Sequence, residues 1–209
     1  PEGDVSITAE FVKEATEEVI EEVTEETTLN FVDVSSSDWF YPGVKYVVEQ
    51  KIMSGISDVQ FGPGVELTRG MMVQMLYNLE GRPTAEGANA FTDVAAGQWY
   101  TDAVVWATGE KIVSGMGGNL FAPNEKITRE QMVVMLYNYA KYLGMDTAAA
   151  ADMTQFADGA KVSAWALDAV RWAVAEGYLS GMGDNTLAPQ GAATRAEIAS
   201  VFMRFMKAM

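Results

Sequence analysis

The chain has 209 residues, 49% of them hydrophobic and 11% aromatic, enough to bury a core without covalent staples. It contains neither cysteine nor histidine, which excludes disulfides, thiolate nucleophiles, Ser-His-Asp triads and histidine metal sites. A net charge of −15 opposes nucleic acid and anionic membrane surfaces as general partners.

The first element, residues 1–30, carries ten acids against one base, so it holds −9 of the total and leaves −6 for residues 31–209. Phe11, Ala15, Val19, Ile20 and Val23 recur at helical spacing within this glutamate-rich stretch. It reads as an acidic amphipathic helix that packs on the body, pairs with another chain, or serves as a partly helical linker. A basic region followed by an apolar one is absent from its start, and no run of about 18 apolar residues occurs, so neither a signal peptide nor membrane insertion is expected.

From Phe31 onward the chain repeats itself. "FVDVSSSDWF", "FTDVAAGQWY" and "FADGAKVSAWA" open three segments, 31–90, 91–155 and 156–209. Trp39, Trp99 and Trp165 lie 60 and 66 apart, and the same steps separate Ser54-Gly55, Ser114-Gly115 and Ser180-Gly181. Thr68-Arg69, Thr128-Arg129 and Thr194-Arg195 keep that register. After each tryptophan the apolar spacing predicts a first helix, with Pro42 in or before the first turn of copy one. A glycine-rich loop follows, and the Thr-Arg pair opens a second helix, as with Met132, Val133, Met135, Leu136 and Tyr139 in copy two. The chain is therefore expected to be all-α, with 31–209 folding as one module of three helix-loop-helix repeats.

The Thr-Arg pair poses a question of charge. Thr128 with Gln131 and Thr194 with Glu197 form capping boxes, and copy one keeps only the N-cap Thr68 because Met71 stands at the box position. Capping does not explain an arginine at the first helical position, where a cation costs ~0.3–1 kcal/mol unless it finds an anion. One answer is an internal ion pair with Asp33, Asp93 or Asp158 of a neighbouring repeat, or an arginine stem laid over a tryptophan. The other is an anion site built from free helix N–H groups and the guanidinium fork. Taken singly, Trp39, Trp99 and Trp165 read as core or inter-repeat packing. The loop "SGMGGN" lacks the Gly-Lys-Ser/Thr ending of a phosphate loop, and its glycines read as left-handed turn residues.

Phe-x-Asp, Trp, Gly-x-Gly, Phe-x-Pro and the Thr-Arg-Ala-Glu of copy three, in order and in triplicate from residue 31 to about 206, resemble the S-layer homology (SLH) domain family. That resemblance implies a pseudo-threefold, three-pronged spindle around a central three-helix bundle. It implies a non-catalytic anchor, secreted to the bacterial cell wall or S-layer, that binds a secondary cell-wall polysaccharide carrying a pyruvate ketal. Arg69, Arg129 and Arg195 would meet the carboxylate in grooves between repeats, and Trp39, Trp99 and Trp165 would hold sugar. Asp33, Asp93 and Asp158 would accept sugar hydroxyls or orient the arginines, and Gly55, Gly115 and Gly181 would allow close approach. Copy one departs at Gly70-Met71 and at Ser57, so its groove is expected to be altered or inactive. No metal or cofactor is expected. Two other readings are a protein-protein assembly module, with self-association in an S-layer, and binding of polyamine-modified peptidoglycan through the three aspartates. A two-carboxylate glycosidase is not expected, because three equivalent repeats offer no unique acid pair.

Overall fold

A computed structural model of the protein describes residues 29–209, so the expected helix or linker over 1–30 lies almost entirely outside the described residues. Among the described residues six α-helices form: α1 Tyr41–Glu49, α2 Arg69–Leu79, α3 Thr101–Gly109, α4 Arg129–Tyr142, α5 Leu167–Ala175 and α6 Arg195–Lys207. Short 3-10 turns lie at Met153–Gln155 and Gly159–Lys161, and no β-strand occurs among the described residues. Each repeat supplies a short helix starting two residues after its tryptophan and a longer one starting at its arginine. Pro42 lies in the first turn of α1, where its missing N–H costs little.

The long helices start where their caps dictate. The Thr68, Thr128 and Thr194 hydroxyl oxygens accept from the N–H groups of Met71, Gln131 and Glu197 at 3.3, 3.2 and 3.4 Å. Gln131 and Glu197 accept in return from the N–H groups of Thr128 and Thr194, and Met71 cannot. The short helices stop at left-handed residues, Lys51, Lys111 and Gly177.

Each short helix packs on the long helix of the repeat before it: α3 on α2, α5 on α4, and α1 on α6. The last pairing brings the two ends of the repeat array together, and it is the tightest. A Cβ on Gly43 of α1 would stand 2.8 Å from the Ser200 backbone of α6, whereas Ala103 and Ala169 occupy the matching positions of α3 and α5. Buried side chains from all three repeats form one cluster, including Val44, Leu76, Trp106, Leu136, Trp172 and Phe205.

Three residues just ahead of the threonines tie the repeats at the backbone. Leu67 N–H donates to the Ala193 carbonyl, Ala193 N–H to Ile127, and Ile127 N–H to Leu67, at 2.9–3.0 Å. The ring of bonds is closed, and its three members are at most 1% exposed. Immediately beyond it, the first two N–H groups of each long helix donate to the loop of the next repeat: Arg69 and Gly70 to Glu125 and Pro123, Arg129 and Glu130 to Gly191 and Pro189, Arg195 and Ala196 to Val65 and Pro63. With the third N–H capped by threonine, these helix starts keep no free donor for an outside anion. That corrects the expectation of an anion site made from helix N–H groups.

The arginine side chains follow their backbones across the same boundary. Arg69 Nε donates to the Phe121 carbonyl at 2.8 Å, Arg129 Nε to Leu187 at 2.8 Å and Arg195 Nε to Phe61 at 2.7 Å. A second nitrogen reaches the serine carbonyl of the same loop: Ser114 at 3.0 Å, Ser180 at 3.3 Å and, for Arg195, Ser54. On the far side of each peptide stands the Phe-x-Asp acid. Asp33 accepts from Phe61 and Gly62 N–H, both at 2.8 Å; Asp93 from Phe121 at 2.9 and Ala122 at 2.7 Å; Asp158 from Leu187 at 2.7 and Ala188 at 2.8 Å. Arginine and aspartate thus grip opposite ends of one peptide instead of touching, which corrects the expected direct ion pair with aspartate. Gly62, Ala122 and Ala188, the second donor of each pair, adopt the left-handed conformation, which turns the chain away after the clasped peptide.

Electrostatics fit this clasp. Burial lowers Arg69 to about 10, with Asp93 opposing the shift, so it stays cationic at neutral pH. Burial disfavours the Asp93 and Asp158 carboxylates, but the N–H groups they accept from outweigh it and hold both below the ordinary value. The folded chain therefore takes up these protons less readily than the unfolded chain. Their stabilisation is complete above the unfolded value near ~pH 4 and is lost as pH falls through the lower folded values. Asp93→Asn is expected to destabilise the fold by about 2–3 kcal/mol at pH 7, the value of hydrogen bonds to a charged group. Urea unfolding at pH 7 and pH 2.5 checks this: the gap between variant and parent should shrink at the lower pH, and an equal gap at both would refute the clasp's charge dependence.

The Ser-Gly glycines owe their identity to packing. A Cβ at Gly115 would lie 2.7 Å from both the Leu120 carbonyl and the Phe91 ring; at Gly55 it would meet the Phe31 ring at 2.6 Å, and at Gly181 the Phe156 ring at 2.9 Å. None of the three needs a positive φ, which corrects the left-handed reading at these positions. Gly115→Ala is expected to cost about 1–3 kcal/mol, as overpacking does, seen as a lower thermal midpoint.

Candidate binding grooves

With each loop clasped at both ends, two grooves open between repeats. The first, about 270 Å³, is lined by Trp39 of the first repeat, Arg129 of the second, and Ser180–Gly183 with Glu197 and Arg204 of the third. The second, about 410 Å³, takes Arg69 from the first repeat, Ser114–Met116 with Gln131 and Asn138 from the second, and Trp165 from the third. Each groove therefore needs all three repeats.

The tryptophans are not core. Trp39 is 65% exposed, Trp99 56% and Trp165 60%, so the packing reading of these side chains is overturned. Trp39 and Trp99 rest edge-on against the next aromatic residue, Phe40 and Tyr100, at 5.4 and 5.0 Å between ring centroids. That contact steadies an indole whose face is left to solvent.

The arginines reach the grooves differently. Arg69 is 3% exposed, and its guanidinium lies 4.7 Å from the Phe121 ring centroid. Arg129, 5% exposed, pairs through Nη1 with Glu197 Oε1 at 2.6 Å. Arg195 lies 4.5 Å over Phe61 and lines neither groove. At the place matching the two grooves, a depression along the first Ser-Gly turn includes Ser54, Gly55, Ser57 and Asn78, but neither Arg195 nor Trp99. Its other lining residues include Lys51 and Asp58, and Met71 at the box position is not among them. Asp33, Asp93 and Asp158 line neither groove, since both their oxygens serve the loop behind it.

Sequence reasoning missed Gln131, Asn138 and Arg204 as groove residues. Helical periodicity held the signal: Asn138 and Arg204 stand seven positions after the box residues Gln131 and Glu197, two turns along the same face.

The repeats have known counterparts. The S-layer homology domain matches residues 30–71, 90–133 and 155–199. The chain is 30% identical over 171 residues to an amylopullulanase of Thermoanaerobacterium thermosulfurigenes, covering 82% of this chain and 9% of that protein. It is also 30% identical to the surface-layer 125 kDa protein of Lysinibacillus sphaericus, over 77% of this chain and 13% of that one. The S-layer protein sap of Bacillus anthracis is 30% identical over 81% of this chain and 20% of its own length. The chain thus spans a fifth or less of these relatives, and what is shared among proteins named as enzymes and as surface layers is this module. Each matched segment carries its own Phe-x-Asp acid, tryptophan and Thr-Arg pair, and with that the chain belongs to the S-layer homology domain family.

Proposed function

We propose that this chain is a non-catalytic anchor that holds a longer protein at the bacterial cell surface by binding a wall polysaccharide whose sugars carry pyruvate ketals. Family membership and the surface-layer relatives support the anchoring role. One observation carries the finer reading: each groove joins an exposed tryptophan face, an arginine and a glycine-lined turn drawn from three different repeats. An indole face suits the apolar face of a sugar ring, and a guanidinium suits a ketal carboxylate, which stays ionised at neutral pH. The aspartates act here by positioning the loops. Polyamine-modified peptidoglycan finds less support, because a cation would meet arginine in both grooves while the three aspartates are occupied.

No helix among the described residues is long and apolar enough to cross a membrane. The test is binding to purified wall polysaccharide before and after removal of pyruvate. Removal is expected to weaken binding about tenfold to a hundredfold, as loss of a hydrogen bond to a charged group does. Trp39→Ala and Trp165→Ala should each cost on the order of tenfold at one groove, while Trp99→Ala should leave binding near its starting value. Unchanged affinity for the pyruvate-free glycan would refute the proposal.

A further inference from the structure

The two grooves share a backbone plan but not a charge plan. In the first, each nitrogen of the Arg129 fork already donates once: Nε to the Leu187 carbonyl, Nη2 to the Ser180 carbonyl and Nη1 to Glu197 Oε1 at 2.6 Å. Glu197 is held in place by its other oxygen, which accepts from the Thr194 N–H at 2.8 Å. The pair is internally neutral, with side chains only 5% and 12% exposed. An incoming carboxylate gains little from a guanidinium whose charge a carboxylate already neutralises and whose every nitrogen is committed to one bond.

The uncompensated cation of this groove is Arg204. It lies seven residues after Glu197, about 10 Å along the helix axis. Its Nη1 donates to the Tyr178 carbonyl at 3.2 Å and to Ser180 Oγ at 3.3 Å, and it meets no carboxylate among the described residues. Asparagine stands at the matching position of the other repeats, Asn138 and Asn78. The second groove is arranged the other way. Gln131 replaces the glutamate, so Arg69 keeps its charge, and its Nη1 has no hydrogen-bond partner among the described residues.

We infer that the two grooves recognise an acidic sugar through different arginines: Arg69 at the helix start in the second groove, and Arg204, two turns along α6, in the first. The residue at the box position decides which. Glutamate silences the helix-start arginine, and glutamine leaves it available. This inference rests on the anionic-glycan reading above and assigns Arg204, which the Thr-Arg motif does not contain, as the anion contact of one groove.

Titration calorimetry with a pyruvylated disaccharide released from wall polysaccharide tests it. The parent chain is expected to take up two equivalents. Arg204→Gln should weaken the first-groove equivalent about tenfold to a hundredfold and leave the thermal midpoint unchanged, since the side chain is half-buried and makes two long hydrogen bonds. Gln131→Glu keeps the capping box but puts a carboxylate beside Arg69, so it should remove the second equivalent, and the double variant should bind neither. If Arg204→Gln retains both equivalents at parental affinity, or weakens the pyruvate-free disaccharide as much as the pyruvylated one, Arg204 is not the anion contact and the inference falls while the anchor reading stands. If the parent chain binds no pyruvylated disaccharide, both fall together.

Discussion

Everything in this molecule depends on one peptide per repeat being gripped from both sides. An arginine at a helix start is unfavourable against the backbone dipole, and here the offset is local and complete. The guanidinium crosses into the next repeat and donates to the carbonyl of Phe61, Phe121 or Leu187, while an aspartate of that repeat accepts from the N–H at the other end of the same peptide, that of Gly62, Ala122 or Ala188. Opposite charges at the two ends of a polarised peptide reinforce each other without direct contact. The boundary between repeats is thereby made of charge-assisted hydrogen bonds, buried where water competes poorly.

That clasp also shapes the binding surface. Each glycine turn forming a groove wall is fixed by an arginine from one side, an aspartate from another and a phenylalanine ring beneath, leaving it little freedom to lose when a sugar arrives. A wall prepared in this way avoids the ordering cost that flexible loops carry on binding. The aspartates and most arginine donors are therefore spent on architecture. Recognition falls to what they leave uncovered: an indole face, the groove-facing edge of a guanidinium, and side chains on the same face of the long helix.

The helix starts and the capping boxes at Thr128 and Thr194 were legible in the sequence because they depend on residues three to four apart. The closed ring of Leu67, Ile127 and Ala193 was not, since nothing local in those residues marks a backbone bond to another repeat. For the arginines the sequence posed the right question, where the compensating negative charge lies, but offered carboxylates, an outside anion or a tryptophan face as answers. Backbone carbonyls are present at every position and leave no trace in composition. Taken singly, the tryptophans read as packing residues for a related reason: a large apolar residue is usually buried, and tertiary geometry is what shows Trp39 lining a groove built mainly by the third repeat.

Triplication explains why the clasp is uniform and the grooves are not. A backbone contact used three times is constrained three times, because loosening one arginine loosens a boundary in a closed ring. The box residue carries no such burden. Gln131 and Glu197 both complete a cap, and Met71 forgoes half of it at a cost of at most ~1 kcal/mol. That position can therefore vary while the fold persists, and because it faces the groove, its variation changes which cation is available there. Met71 takes the freedom furthest: it brings no polar group to the box, and the depression at the third position takes in neither Met71 nor Arg195 nor Trp99, so among the described residues two grooves join an arginine, a tryptophan and a glycine turn. The charge character of the two grooves is then set by a residue that the stability of the module barely registers.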